Sequence, residues 1–335
     1  MKTNSLTNDS RRDNAIDILK FLAVLLITWS HFDLPLGKYA MFSTGGAFGD
    51  SLFFFISGYT LLLSNRKSNF FNWYKRRINR IYPTVFAWAL FVAIFWGGGY
   101  DMLGIIKSGG GFFVTCIMLF YIIFYPINEI YQRNISTKYW NIVLITSFFV
   151  LYAVCYFLFV QTNQYSLYKW SWCGYFISML VGALVGKTKK DMAKSFLNGI
   201  NIWVLIICLF ASASTYYLLM YYEQETEWLV ILNIIPLVCV ACFLFELTNR
   251  LSKISFIRKQ YIYWIIRFVG SLCLEVYIVQ PRIITDRINN LLPYNLLLIF
   301  IAIILVAYCL KTLGRFWAQT FKDEDYDWKG IVKCW

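Results

Sequence analysis

Long apolar runs separated by short basic stretches set the pattern of this chain. A bilayer core about 30 Å thick needs about 20 apolar residues per helical crossing. The runs predict spans near 16–34, 49–64, 81–98, 109–127, 140–160, 170–186, 200–221, 228–247, 266–284 and 294–313. The second, fourth and sixth are short or interrupted by Gly, Pro or Ser, which leaves their limits loose. The first fifteen residues are polar, and the run that follows is too long and too ionisable for a cleaved signal, so a retained first span is expected. The expected fold class is an all-α integral membrane protein. It is a bundle of about ten transmembrane helices forming one membrane domain over residues 1–335, with short polar tails.

Composition agrees with this pattern: 59% of residues are hydrophobic and 15% charged. The formal net charge of +13 raises the question of nucleic acid, but its distribution answers for topology instead. With the N-terminus cytoplasmic, about 25 Lys and Arg fall in inner segments and about 5 in outer loops, a positive-inside asymmetry that supports an even span count and two cytoplasmic ends. The acidic loop with Glu223, Glu225 and Glu227 then falls outside. A basic charge spread over separated loops does not form a nucleic-acid footprint. The expected location is the inner (plasma) membrane, with the lipid bilayer as the first partner. A second copy of the chain is also compatible. The nine cysteines form no framework, and only Cys239 and Cys242 have a metal-like spacing. With no histidine nearby and an apolar helix around them, they read as packing residues, and no metal is expected.

The sharpest candidate is the lone histidine, His31, eleven residues after Lys20 in the first span. At about 100° per residue, an offset of eleven returns to within about 20° of the same helical face, and the two groups lie about 16 Å apart along it. An ionisable residue inside a membrane helix is costly, so it is read as functional by default. The bland alternative is a polar residue satisfied by a neighbouring helix. A second basic group, Lys75-Arg76-Arg77-Ile78-Asn79-Arg80-Ile81-Tyr82-Pro83, lies at the start of the third span. Arg76, Arg77 and Arg80 share a face. They can snorkel to lipid phosphates as a topology anchor or grip a phosphate in bidentate fashion. Lys20 at the same membrane face favours a phosphate-bearing ligand.

Two more segments carry candidates. Gly45 to Tyr59 leads into the second span, with Asp50 at its outer edge and Ser57-Gly58 further in; the latter pair also suits a close helix crossing. Asp33 and Asp50 could each orient an imidazole or an acceptor hydroxyl, or be ordinary loop acids. In the ninth span Glu275 has no adjacent cation in sequence, and a buried charge there needs a partner. Asp17, Ser57, Tyr82 and Glu275 therefore stand as substrate-contacting or structural residues.

Three motifs together resemble the membrane-bound acyltransferase 3 family. They are Asp17-Ile-Leu-Lys20 followed by His31, Phe53-Phe54-Phe55-Ile56-Ser57-Gly58-Tyr59, and Arg77-Ile-Asn-Arg80-Ile-Tyr82-Pro83. The stretch from Gly270-Ser271 to Tyr277-Ile278 is similar to the family's late helix. The chain departs by carrying Lys20 where arginine is usual, and Gln280 where a histidine is common. The resemblance implies transfer of an acyl group, commonly acetyl from acetyl-coenzyme A, to a hydroxyl of a surface or lipid-linked glycan. It implies His31 as general base or transient acyl carrier, and Lys20, Arg77 and Arg80 as the groups that hold the cofactor's phosphates; Arg76 joins the cofactor-binding candidates, and Asp33 and Asp50 join His31 as catalytic candidates. Tyr168, Trp170 and Trp172 are candidates to stack on sugar rings or to form an interfacial belt. The rival class is a transporter or flippase of glycan-lipid precursors, against which stands the lack of an inverted repeat.

Overall fold

The computed structural model describes residues 13–63, 68–96, 111–132, 138–159, 167–192, 197, 199–223, 227–257 and 259–334. Among them every regular element is a helix. The principal ones are α1 (Asn14–Ser30), α2 (Asp33–Leu36), α3 (Gly46–Leu63), α4 (Phe70–Trp96), α5 (Gly111–Gln132) and α6 (Lys138–Phe159). There follow α7 (Leu167–Met192), α8 (Ile202–Glu223), α9 (Ile234–Leu251), α10 (Gln260–Ser271), α11 (Cys273–Ile283), α12 (Tyr294–Thr320) and α13 (Trp328–Ile331).

Each expected span falls on one of these helices or on a bent pair. Among the described residues, six helices are long and apolar enough to cross a membrane, or up to eight if each bent pair is one crossing. The expected ten is therefore met only in part. Of the remaining two, α6 shows a shorter apolar stretch over Leu144–Val154, and side chains at both ends of α7 lie outside the described residues.

The two bent pairs revise the expectation most. Helix α1 ends at Ser30, and the chain turns through 61° into Asp33–Phe42. The ninth expected span breaks between Ser271 and Cys273 with a 70° bend. The third span starts earlier than its apolar run: α4 begins at Phe70, so Arg76, Arg77 and Arg80 lie inside the helix rather than before it. Asn69 accepts from the backbone of Asn72 across the first turn, and the amphipathic stretch that follows continues through Pro83 without a break.

Helix α1 is the centre of the bundle and packs against α3, α9, α10 and α11. Its start is fixed by Asp13, whose carboxylate caps the Ala15 amide at 3.1 Å. The same carboxylate accepts from Tyr59 Oη of α3 at 2.6 Å and from Lys189 Nζ of α7 at 2.7 Å. Lys189 also donates to Asn249 of α9. One acid thus ties four helices at one end of the bundle.

The tightest crossing joins α3 to α7, and glycine makes it possible. A Cβ on Gly58 would collide with the Met179 carbonyl, and one on Gly182 with the Phe55 carbonyl. Beside this crossing, Phe54 is 1% exposed and gathers Phe113, Phe120 and Tyr175 at centroid distances of 5.0, 5.1 and 5.6 Å. That aromatic knot anchors α5 and α7 to α3.

Gly58→Val and Gly182→Val should each lower the thermal stability of purified protein, by about 3 kcal/mol at the upper end of overpacking costs. Unchanged melting of both variants in detergent would contradict this crossing.

Candidate functional site

A cavity of about 610 Å³ opens where α1, α3, α4, α5 and α12 meet the break between α10 and α11. Five cations line it: Lys20 of α1, Arg77 and Arg80 of α4, and Lys311 and Arg315 of α12. Ser57, Tyr121, Ser271 and Glu275 are among the other polar groups of its lining. Phe53, Phe113 and Ile117 form an apolar part of the wall, with Phe53 and Phe113 edge to face at 4.5 Å.

Local sequence explains why these groups converge. On α4, Arg77 and Arg80 sit one turn apart. The Arg77 guanidinium lies 4.7 Å from the Trp73 ring centroid and 5.8 Å from that of Tyr121, which holds a cation by the ring quadrupoles. Its Nε is buried with no hydrogen-bond partner, which leaves an N–H for an anion. On α12, Lys311 and Arg315 are four residues apart and share a face. Lys311 Nζ donates to the backbone oxygen and to Oγ of Ser271, at 2.8 and 2.9 Å. The helix break thus presents its carbonyl to a cation.

Glu275 is 7% exposed and sits within electrostatic reach of Lys311, Arg315 and Arg80. The sequence showed no cation beside it; the fold provides three. Arg315 was missed because the apolar run fades at residue 313 and the rest read as tail; Lys311, two residues inside the run, passed as a cation at its end. The helix continues to Thr320. Their i,i+4 spacing was the available signal. Tyr121, an aromatic residue in an unremarkable apolar run, gave none.

Not every expected site residue reaches the cavity. Arg76 turns away, with Nη2 donating to Ser68 Oγ. Asp17 is 3% exposed and accepts from Tyr263 Oη at 2.8 Å, so it joins α1 to α10. Tyr82 packs toward Phe86 at 6.1 Å between centroids. His31 is the C-cap of α1, where its backbone N–H bonds back to Thr28 and Trp29. It is exposed, at the break rather than in mid-helix, and does not line the cavity. Asp33 is exposed beside it in the next turn, and Asp50 is half-buried in the first turns of α3. Ser57 and Asp50 are seven residues apart, so they share a face of α3 with Asp50 about 10 Å toward the His31 end. The side chains of Tyr168, Trp170 and Trp172 lie outside the described residues.

One further polar group stands out. Gln280 of α11 is 0% exposed, and neither of its amide atoms has a hydrogen-bond partner. It lies seven residues, about 10 Å, beyond the cavity-lining Cys273 on the same helical face. Among the described residues no group of three or more His, Cys, Asp or Glu is placed to hold a metal. Cys239 and Cys242 are free, half-buried thiols.

The arrangement is two-ended. Clustered cations stand near the Asp13 end of the bundle, an arrangement that suits a multiply charged anion. The imidazole and two carboxylates lie toward the opposite end, with His31 closing α1, Asp33 past its bend and Asp50 on the Ser57 face of α3. Tyr263→Phe tests the structural role of Asp17: it removes a donor from a buried carboxylate, which costs about 1–3 kcal/mol. Thermal unfolding should register the loss while anion binding at the cavity stays as in the wild type.

A family model described as an acyltransferase domain matches residues 13–317. Neither the comparison with curated proteins nor that with solved structures finds a match.

Proposed function

Because the chain belongs to the acyltransferase 3 family of membrane acyltransferases, we propose that it moves an acyl group from acyl-coenzyme A, with acetyl the simplest case, to a glycan hydroxyl. The observation that carries this reading is the convergence of five cations from three helices on one cavity. A coenzyme A head carries a diphosphate and a 3′-phosphate, and guanidinium forks suit those groups. Lys20, Arg77, Arg80, Lys311 and Arg315 hold the head; Glu275 spaces the cations. The basic end then faces the cytoplasm, where the donor is made, in an inner membrane.

From that anchor the acyl arm runs along the Lys20 face of α1 toward His31, about 16 Å away, a distance an extended pantetheine arm covers. At that end His31 takes the proton of the acceptor hydroxyl. The hydroxyl oxygen bonds to the thioester carbonyl carbon, the carbon–sulfur bond breaks, and the thiolate leaves and recovers a proton as coenzyme A. Asp33 and Asp50 orient the imidazole or the acceptor. The exposed position of His31 suits an acceptor that arrives from outside the bundle, as a lipid-linked or surface polysaccharide sugar does.

Labelled acetyl-coenzyme A supplied with a glycan-lipid extract is the direct test. His31→Ala should abolish label transfer, by at least about a hundredfold for a lost general base, while coenzyme A binding persists. Arg77→Ala and Arg80→Ala should weaken that binding by about tenfold each, about 1.4 kcal/mol, whereas Arg76→Ala leaves it near the wild-type value. Full transfer by His31→Ala would sink the base assignment. A wild type that neither binds nor consumes the thioester would favour a transporter.

A further inference from the structure

The residues after α12 return along it. From Thr320 the chain reverses, and Val332 reaches Tyr308, whose hydroxyl donates to the Val332 carbonyl at 2.7 Å. Twelve residues of helix separate Tyr308 from Thr320, so the return climbs about 18 Å along α12. This fold-back lies beyond residue 317, where the family match ends. Two anchors hold it. Tyr326 stacks on Phe316 at 5.0 Å and lies against Trp328 at 5.4 Å, and Ile331 of the one-turn helix α13 is 2% exposed.

The fold-back ends on the groups that line the anion cavity. Arg315 Nη1 donates to the carbonyls of Gly330, Ile331 and Lys333, the last turn of α13 and the residues after it. Ser271 Oγ shares its one hydroxyl proton between the Phe268 carbonyl of its own helix at 2.8 Å and the Cys334 carbonyl at 3.0 Å, and the same Ser271 accepts from Lys311. Two of the five cavity cations are thus held, one directly and one through Ser271, by backbone oxygens of residues 330–334. A long cationic side chain loses rotamer freedom when a ligand fixes it. A scaffold that fixes it beforehand removes that cost from binding.

We propose that the fold-back segment, residues 321–334, is a positioning element of the donor site: it presets Arg315 and Lys311 for the phosphates of acyl-coenzyme A. The proposal rests on the donor-site reading above. The carbonyls use one nitrogen of the Arg315 fork and leave the others for an anion. The contacts described for the segment fall on α12 and on Ser271, at the cavity end, so it sets affinity for the donor and not the chemical step.

Two variants test it: a chain ending at Thr320, and the full-length Ile331→Ala, which loosens the buried anchor and leaves all five cations in place. Coenzyme A affinity is measured by calorimetry in detergent, and KM and kcat with labelled acetyl-coenzyme A. The shortened chain should bind about tenfold more weakly and Ile331→Ala about threefold, with KM rising in step and kcat within about twofold of the wild type. Tyr263→Phe, destabilised away from the cavity, serves as comparator and should keep the wild-type Kd. Unchanged or tighter binding by Ile331→Ala would overturn the proposal while leaving the donor reading intact, as would a fall in kcat at constant KM. A wild type that binds no coenzyme A would overturn both. If the shortened chain does not purify folded, Ile331→Ala alone decides.

Discussion

Five like charges inside an apolar bundle are the constraint around which the rest of the molecule is arranged. Each cation would be costly against hydrocarbon, and together they repel. The fold answers with unlike devices. Glu275 supplies a buried carboxyl group among them, the Trp73 and Tyr121 rings lie against Arg77, the broken helix offers its carbonyl to Lys311, and the fold-back offers three more to Arg315. None of these removes the net positive charge. An arrangement that leaves such a field in place favours a polyanionic ligand, because the ligand completes the neutralisation that the protein leaves partial.

The break between α10 and α11 belongs to the same logic. Irregular backbone at membrane depth is tolerated where it borders a cavity, since its unpaired groups otherwise have no partner. Gly270, Ser271, Cys273 and Glu275 all line the space. Gly270 permits the approach to α1: a Cβ there would press on the Asp17 carbonyl, the Phe21 amide and the Lys20 side chain. Asp17, pinned by Tyr263, keeps α10 against α1 at that level. The acid first considered for chemistry is thus a tie between two helices and stands outside the cavity.

Much of this was legible in the sequence, for identifiable reasons. Apolar runs located the helices because hydropathy is the membrane's own criterion, and Lys20, Ser57-Gly58 and Arg77-Ile-Asn-Arg80 fall at the cavity or at a helix crossing. The bends were not legible. Neither Ser30–Phe32 nor Ser271–Leu272 contains proline, and periodicity over a dozen residues is blind to a one-residue interruption. For that reason His31 read as a mid-helix group and stands instead at a helix end. Hydropathy also misjudged helix length where a helix outruns its apolar part. That hid the start of α4 and the last turns of α12, and with them Arg315. The partners of Glu275 come from remote segments that only the tertiary fold brings together.

The glycine crossing of α3 and α7 has a mechanical consequence. Gly58 lies against the carbonyl of Met179, and Gly182 against that of Phe55. Sliding either helix by one residue would replace a hydrogen with a side chain at both points, and the backbones could not pass. Shear between these two helices is thereby blocked, and they act as one rigid plate. Relative motion is left to rotation instead, and the joints suited to it are the 61° and 70° bends. Both abut α1, so rotation at either would swing about the central helix while the plate stays still.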